Sequence, residues 1–154
     1  MIEVKGNLWT YPADVRVITT NGTVKKNGEC VMGRGCAKEA AQRMKEVPKI
    51  LGNLLRAHGN HCHILFRGNP LCLNAVLVSF PVKHAWYERA DLALIEQSAK
   101  ELANLADDQG WIDGWGKIVL PRPGCGNGGL KWEDVRPVLE PILDDRFHVI
   151  TFGE

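Results

Sequence analysis

Residues 117–130 read KIVLPRPGCGNGGL, and their apolar segment followed by a glycine-rich segment indicates the fold class. The apolar run within Lys117–Leu120 predicts a buried strand, and the loop after it is rich in glycine. From Trp132 onward, apolar residues repeat at three- and four-residue intervals, which predicts a helix. A strand, a glycine-rich loop and a helix in this order are typical of α/β proteins, in which such loops leave the carboxyl ends of the strands.

A second segment has the same order. The predicted strand Val15–Thr19 is followed by Asn21 and Gly22, and residues 28–37 read GECVMGRGCA before the next predicted helix. Glycines let backbone N–H groups converge on an anion at the positive end of a helix. One such loop fits a tight turn as well as a phosphate site, but two at strand ends favour an extended diphosphate ligand. Neither loop has the Walker or dinucleotide pattern, which argues against an ATPase or a dehydrogenase.

The rest of the chain alternates short β-branched runs with amphipathic stretches. The predicted strands are Ile2–Val4, Val15–Thr19, His63–Phe66, Ala75–Phe80, Lys117–Leu120 and His148–Phe152. The predicted helices are Gly35–Lys45, Lys49–His58, Arg89–Asp108 and Trp132–Leu143. Residues Gly110–Gly116 are predicted to form a surface loop. Because Ala75–Phe80 is almost wholly apolar, we expect a strand covered on both faces and a three-layer α/β fold.

Composition limits the organisation and the partners. With 154 residues, 45% of them hydrophobic and 24% charged, we expect one domain over residues 1–154. The net charge of +1 gives no broad attraction to nucleic acid, so any such contact must be local. No apolar run approaches the roughly 20 residues that span a bilayer, so no membrane partner is expected. Five cysteines without CxxC spacing and no signal peptide favour the cytoplasm.

The cysteines and histidines have structural interpretations. Cys36 and Cys125 lie inside the two loops, but no histidine is near either in sequence, and we interpret both as structural. His61-Cys62-His63 with Cys72 fits no established four-ligand zinc spacing. We therefore expect neither a metal nor a cofactor.

The two loops resemble those of the macro domain family. Asn21 with Val31–Ala37 resembles the first ADP-ribose loop of that family, and Gly124–Trp132 resembles the second. The resemblance runs from Glu3 to Phe152 and implies a three-layer α/β/α fold with a central mixed sheet that binds ADP-ribose. The ADP-ribose-binding residues that it implies are Asn7, Val31, Met32, Gly33, Arg34, Gly35, Cys36, Pro123, Gly124, Cys125, Gly126, Asn127, Gly128, Gly129, Leu130 and Phe152.

Two of these positions concern the adenine. Asn7 stands where many macro domains have an aspartate that accepts a hydrogen bond from the adenine amino group, and an amide oxygen can also accept. Phe152 stands where the family often has an aromatic ring that stacks on adenine. The alternative for Phe152 is a core phenylalanine.

Within the family, Ser79–Trp86 is similar to the bacterial DNA ADP-ribosyl glycohydrolases that act as antitoxins. This implies that Lys83 is the catalytic lysine and that Asn21 orients the distal ribose. Related enzymes that cleave glutamate-linked ADP-ribose also have an aspartate in the second loop, which this chain lacks. The alternatives are a solvated lysine after a strand for Lys83 and a turn residue beside Gly22 for Asn21.

The resemblance implies an enzyme that removes thymidine-linked ADP-ribose from single-stranded DNA and so reverses a cognate ADP-ribosyltransferase toxin. The basic and aromatic group of Lys83, His84, Trp86 and Arg89, just outside the expected pocket, could contact DNA, or Trp86 could be a half-buried helix cap. One rival activity is hydrolysis of protein-linked ADP-ribosyl esters or of small ADP-ribose derivatives. Another is a reader that binds ADP-ribose without hydrolysis. Such antitoxins generally carry a further C-terminal region, so this chain is a fragment or a free-standing enzyme.

Overall fold

The computed structural model of the chain describes residues 1–68, 76–111 and 117–152. Its strands are β1 (Ile2–Lys5), β2 (Val15–Asn21), β3 (Ile64–Arg67), β4 (Val76–Lys83), β5 (Ile118–Pro121) and β6 (Phe147–Thr151). Its helices are α1 (Gly35–Arg43), α2 (Val47–His58), α3 (Leu92–Gln109) and α4 (Trp132–Leu139). Each element predicted from the sequence is present among the described residues.

The six strands form one sheet in the order β1-β6-β5-β2-β4-β3. All neighbours are parallel except β3, which runs antiparallel to β4. The sheet is therefore mixed, as expected. In the parallel part, β4 is buried from Val76 to Val82 without a break, because helices cover both of its faces.

The side chains of each strand pack alternately into two separate hydrophobic cores, one on each face of the sheet. Val17 of β2 lies in the same buried cluster as Ile95 of α3, while its neighbour Ile18 lies in the cluster that contains Leu51 of α2. Successive strand residues point to opposite faces, so the sheet lies between α3 and α4 on one side and α1 and α2 on the other. The three-layer α/β/α arrangement predicted from the sequence is confirmed.

Two element ends differ from the sequence prediction for reasons that involve proline. Helix α4 ends at Leu139 and not at Leu143, since Pro141 has no N–H to continue the ladder. Strand β4 continues through Pro81 to Lys83, because β3 pairs only with residues 76–78 and leaves Pro81 without a partner on that side. The other ends differ by three residues or fewer.

Other features of the fold follow from local signals. Helix α3 starts where the Asp91 side chain accepts a hydrogen bond from the Ala93 N–H, at 3.0 Å, and it is capped at its end by Gly110, which lies in the left-handed region.

Ala75 and residues 112–116 of the predicted surface loop lie outside the described residues. Within the described ranges, no helix combines the length and the apolar character needed to cross a membrane.

Helix α2 supports the loop that follows β2. The Cys30 N–H donates to the Pro48 carbonyl at 2.8 Å. A Cβ on Gly52 would lie 1.9 Å from the Gly28 carbonyl oxygen, so helix and loop touch through their backbones. Only glycine permits this approach, and the position of the loop therefore depends on α2.

We expect Gly52→Ala to lower the free energy of unfolding by about 1–3 kcal/mol, because the methyl group pushes the loop off the helix. This outcome opposes helix propensity, which favours alanine over glycine by up to about 1 kcal/mol. Urea denaturation measures the change. Asn53→Ala, at an exposed position of the same helix, is the matched control and should leave stability nearly unchanged. A Gly52→Ala protein as stable as the control would contradict the close approach.

Candidate functional site

The carboxyl ends of β2, β4 and β5 open into one cleft of about 590 Å³. Both glycine-rich loops line it, as expected for loops that leave parallel strands at the same edge of a sheet. The residues predicted from sequence that line it are Asn21, Val31, Met32, Gly33, Arg34, Gly35, Cys36, Lys83, Gly124, Cys125, Gly126, Asn127 and Gly128.

Asn21 and Lys83 are neighbours across the sheet. They end β2 and β4, and they are register partners in this parallel pair. The register shifts between Thr20 and Asn21, since Thr20 lies opposite Pro81 and Asn21 lies opposite Lys83. This irregularity makes Asn21 and Lys83 register partners, and both residues line the cleft.

The Asn21 side chain also holds the first loop. Its Nδ2 donates to the Val31 carbonyl at 2.9 Å, and its Oδ1 accepts from the Thr23 N–H at 2.9 Å. Asn21 is therefore a turn residue, as considered from the sequence, and it also lines the cleft. These bonds fix the amide rotamer and use one of its two N–H groups.

Lys83 is half-buried, and its backbone and amine are both tethered. Asn60 Nδ2 donates to the Lys83 carbonyl at 3.0 Å, and Lys83 Nζ donates to the Trp86 carbonyl at 3.4 Å. The amine lies at the wall of the cleft, between the two loops. Its remaining hydrogens are available to a bound ligand.

The first loop presents an open helix end to the cleft. Helix α1 begins at Gly35, which has φ of +59° and so favours glycine. Arg34 precedes the helix without forming a side-chain cap, and the first turn has no acidic residue. The partial positive charge of the helix end is therefore uncompensated by the protein and suits an anion.

The second loop is a compact backbone turn. Gly124 has φ of +73°, and a Cβ on Gly128 would lie 2.5 Å from the Gly124 carbonyl oxygen. The Leu130 N–H donates to that same carbonyl at 2.9 Å. The Ala90 N–H donates to the Gly128 carbonyl at 3.0 Å, which ties the loop to the segment between β4 and α3.

Positive charge is concentrated in the cleft. Lys25, Arg34, Lys83 and Arg122 line it, and none of the lining residues in the described ranges is an aspartate or glutamate. The protein as a whole carries a net charge of only +1. The cleft is therefore suited to a ligand with more than one negative charge.

Arg122 is held in place from behind. Its guanidinium lies 4.8 Å from the Trp132 ring centroid, and its Nη2 lies 3.5 Å from Glu3 Oε1. Trp132 Nε1 donates to the same Glu3 oxygen at 2.8 Å. Among the described residues, no hydrogen-bond partner is found for the buried Arg122 Nε.

Eight lining residues escaped the sequence reasoning, and all lie close to predicted ones in the chain. They are Thr19, Thr20, Lys25, Ala37, Val82, Trp86, Pro121 and Arg122. The expectation that Trp86 lies just outside the pocket is wrong, since it lines the cleft, and it is not the cap of α3, since that role belongs to Asp91. Thr19, Thr20, Val82, Pro121 and Arg122 lie at or just after the ends of three strands, and this position was the signal that could have found them.

Five predicted residues do not line the cleft. Pro123, just before the second loop, is buried, and in the loop itself Gly129 is exposed and Leu130 half-buried. Asn7 is exposed, and its Oδ1 accepts from the Trp9 N–H at 2.8 Å. Phe152 is 81% exposed, which excludes the core alternative. Their roles in ADP-ribose binding remain predictions.

The thiols near the cleft are poor nucleophiles. Burial raises the pKa of both Cys36 and Cys125, and it raises the pKa of Cys30 to about 12. Each thiol is therefore protonated near neutral pH, which agrees with a structural role. Within the described residues, no three His, Cys, Asp or Glu side chains are grouped to hold a metal ion, and Cys72 lies outside those residues.

Comparison with curated proteins found a relative of this chain. The DNA ADP-ribosyl glycohydrolase of Thermus aquaticus (strain ATCC BAA-2747 / Y51MC23) is 25% identical over 150 residues, which cover 92% of this chain. The chain spans only 37% of the length of that relative. No family model matches the chain.

Solved structures share the fold. The macrodomain of Thermus aquaticus DarG superimposes with a TM-score of 0.79 at 24% identity, covering 99% of this chain and 97% of that one. Thermosipho africanus DarTG in complex with ADP-ribose superimposes with a TM-score of 0.73 at 18% identity, covering 94% of this chain and 39% of that one. The chain therefore has the macrodomain fold, and these two neighbours are named DarG and DarTG.

Proposed function

We propose that residues 1–154 form a single macro domain that binds ADP-ribose and hydrolyses the N-glycosidic bond between ADP-ribose and thymidine in DNA. The observation that carries this proposal is the cross-strand pair of Asn21 and Lys83 inside a cleft lined by cations. The name of the Thermus aquaticus relative, a DNA ADP-ribosyl glycohydrolase, supports the same activity.

The order of strand ends suits the order of groups in ADP-ribose. From β4 through β2, β5 and β6 to β1, neighbouring ends lie roughly 4.8 Å apart, so five ends span about 19 Å. The distal ribose would lie at Asn21 and Lys83, and the diphosphate between the two loops. Asn7 and Phe152, after β1 and β6, would then meet the adenine; the Gly6 N–H, which donates to the Thr151 carbonyl at 2.8 Å, joins those two ends.

The diphosphate would be held mainly by backbone. The N–H groups at the start of α1 and in the second loop point to an anion site with no competing carboxylate among the described lining residues. Arg34 and Arg122 add charge-assisted hydrogen bonds from opposite sides of the cleft. Binding at this place fixes the anomeric carbon of the distal ribose next to Lys83.

Hydrolysis breaks the bond from C1 of the distal ribose to the base nitrogen and forms a C1–O bond to water, while the other proton of the water ends on the released base. Positive charge develops on the sugar as the bond breaks. Two roles fit Lys83: its ammonium donates a proton to the leaving base, or its amine attacks C1 of the ring-opened sugar and displaces the base, which leaves with a proton from the amine, and water then hydrolyses the Schiff base. In both, Asn21 orients the ribose hydroxyl groups.

The composition of the second loop supports DNA over glutamate-linked protein as the substrate. Asn127 of that loop lines the cleft, and the described lining contains no carboxylate to assist ester cleavage. Lys83 is then the principal ionisable group beside the scissile bond. The modifying partner would be a cognate ADP-ribosyltransferase toxin, whose reaction this domain reverses.

We expect the protein to release ADP-ribose from an oligonucleotide ADP-ribosylated on thymidine, and to leave glutamate-modified protein and ADP-ribose-1″-phosphate intact. Chromatography of the products measures each reaction. Release from modified protein or from the small derivative alone would assign the rival hydrolase activity. Binding of ADP-ribose by calorimetry without any release would assign a reader.

Lys83→Ala should lower the rate of release by at least about 100-fold, since removal of a proton-transfer group or nucleophile costs that much or more. Affinity for free ADP-ribose, measured by calorimetry, should change little. Asn21→Ala should also abolish release, but it should weaken ADP-ribose binding as well, because the amide holds the first loop through Val31 and Thr23.

Lys45→Ala is the matched control, since Lys45 is an exposed lysine that does not line the cleft. It removes the same charge and should retain most of the activity. Circular dichroism and melting temperature verify the fold of each variant. Full activity in Lys83→Ala would contradict the assigned chemistry.

A further inference from the structure

A second depression of about 330 Å³ adjoins the cleft, and we call it the side groove. Its outer wall is the segment Trp86–Arg89 between β4 and α3. Lys83, Arg34 and Asn127 line both the side groove and the cleft. Lys83 therefore lies at the junction of the two.

This junction defines where the leaving group must go. With ADP-ribose in the cleft and its distal ribose beside Lys83, whatever is attached to the anomeric carbon extends past Lys83. The side groove begins at that point. It therefore receives the part of the substrate that lies beyond the scissile bond, and its chemistry indicates what that part is.

The side groove exposes two aromatic rings. Trp86 is 49% exposed and Tyr87 is 73% exposed, and both are among the large hydrophobic residues that the described surface leaves uncovered. Their ring centroids lie 5.8 Å apart with planes at 88°. This edge-to-face contact restrains both rings and leaves ring faces open to solvent. An open, restrained aromatic face suits a planar base.

Cations accompany these rings. Arg34 and Arg89 line the side groove together with Lys83, against a single carboxylate, that of Glu88. Arg89 Nη2 donates to the Gly129 carbonyl at 2.8 Å, which fixes the guanidinium at the rim of the second loop. Aromatic faces with arginines beside them are the combination that binds single-stranded nucleic acid, through stacking and phosphate contacts. An acidic peptide would use the arginines but leave the rings unused.

The groove is preorganised by the loops of the cleft. The Trp86 N–H donates to Thr23 Oγ1 at 3.0 Å, which ties the segment to the first loop. The Ala90 N–H donates to the Gly128 carbonyl at 3.0 Å, which ties it to the second. The segment is thus anchored at both ends, and ordering it on binding costs little entropy.

We infer that the side groove binds the nucleotides that flank the modified thymidine in a single DNA strand, with a neighbouring base stacked on Tyr87 and a strand phosphate at Arg89. This inference rests on the proposed function, because it assumes that ADP-ribose occupies the cleft. The strand must be single, since a base has to be unpaired to stack on a side chain.

The test compares two substrates that differ only in the flanking nucleotides: ADP-ribosylated thymidine as the nucleoside, and a single-stranded oligonucleotide carrying one ADP-ribosylated thymidine. The wild-type protein should have a higher kcat/KM on the oligonucleotide. Tyr87→Ala should lower kcat/KM on the oligonucleotide by about 5-fold or more, the range for losing one stacked base, and leave the nucleoside unaffected. Tyr87→Phe keeps the ring and is the matched control, so it should behave as wild type.

Equal kcat/KM for both substrates in the wild type, or an equal loss on both in Tyr87→Ala, would overturn the inference. Dependence on Tyr87 with ADP-ribosylated protein in place of DNA would overturn it too, because the groove would then receive a polypeptide. If neither DNA substrate is hydrolysed, the proposed activity fails. The dissociation constants of the same two molecules, measured with both Tyr87 variants, then decide whether the groove binds the strand.

Discussion

The parallel pairing of β2 with β4 is the constraint on which the site depends. It sets the last residue of one strand opposite the last residue of the other, so that Asn21 and Lys83 meet although 62 positions separate them in the chain. The shift of register after Thr20 matters as much as the pairing itself. Without it, Asn21 would lie opposite Val82, whose buried side chain has no group that acts on a sugar.

The two loops act as one wall because other elements hold them. The first loop is supported from below by α2, through Gly52 and Cys30. The second is closed by its own backbone bond from Leu130 to Gly124 and tied to the segment after β4. Gly35 faces Asn127 at the place where they meet, since a Cβ there would lie 3.2 Å from Asn127 Nδ2. The shape of the anion site is thus set before any ligand arrives, which reduces the entropic cost of binding.

Local patterns in the sequence predicted the elements and both loops, because strand runs, helical spacing and glycine-rich turns are local signals. The register between β2 and β4 is not a local property, so the pairing of Asn21 with Lys83 could not be predicted from the sequence, and the resemblance to macro domains implied only the separate role of each residue. Strand β4 can continue through Pro81 because β3 ends before it, and the sequence of β4 alone does not show where β3 ends. Arg122 and Trp86 escaped for the same reason, since each enters the cleft through contacts with distant segments, at Trp132 and Thr23.

The cleft is positively charged because cations line it while the carboxylate partner of Arg122 lies outside it. A net charge near zero gives the molecule no general attraction for phosphates, so the field must be local. Glu3 lies behind Arg122, where it orients the guanidinium together with the Trp132 ring without entering the cleft. Glu3 also contacts Arg136 Nε at 3.2 Å, so its own charge is shared with a second cation outside the cleft. An arginine held from behind in this way keeps its cleft-facing N–H groups for a ligand, whereas a carboxylate among the lining residues would compete with the phosphates. With carboxylates outside and cations inside, a nearly neutral protein concentrates positive charge in the cleft.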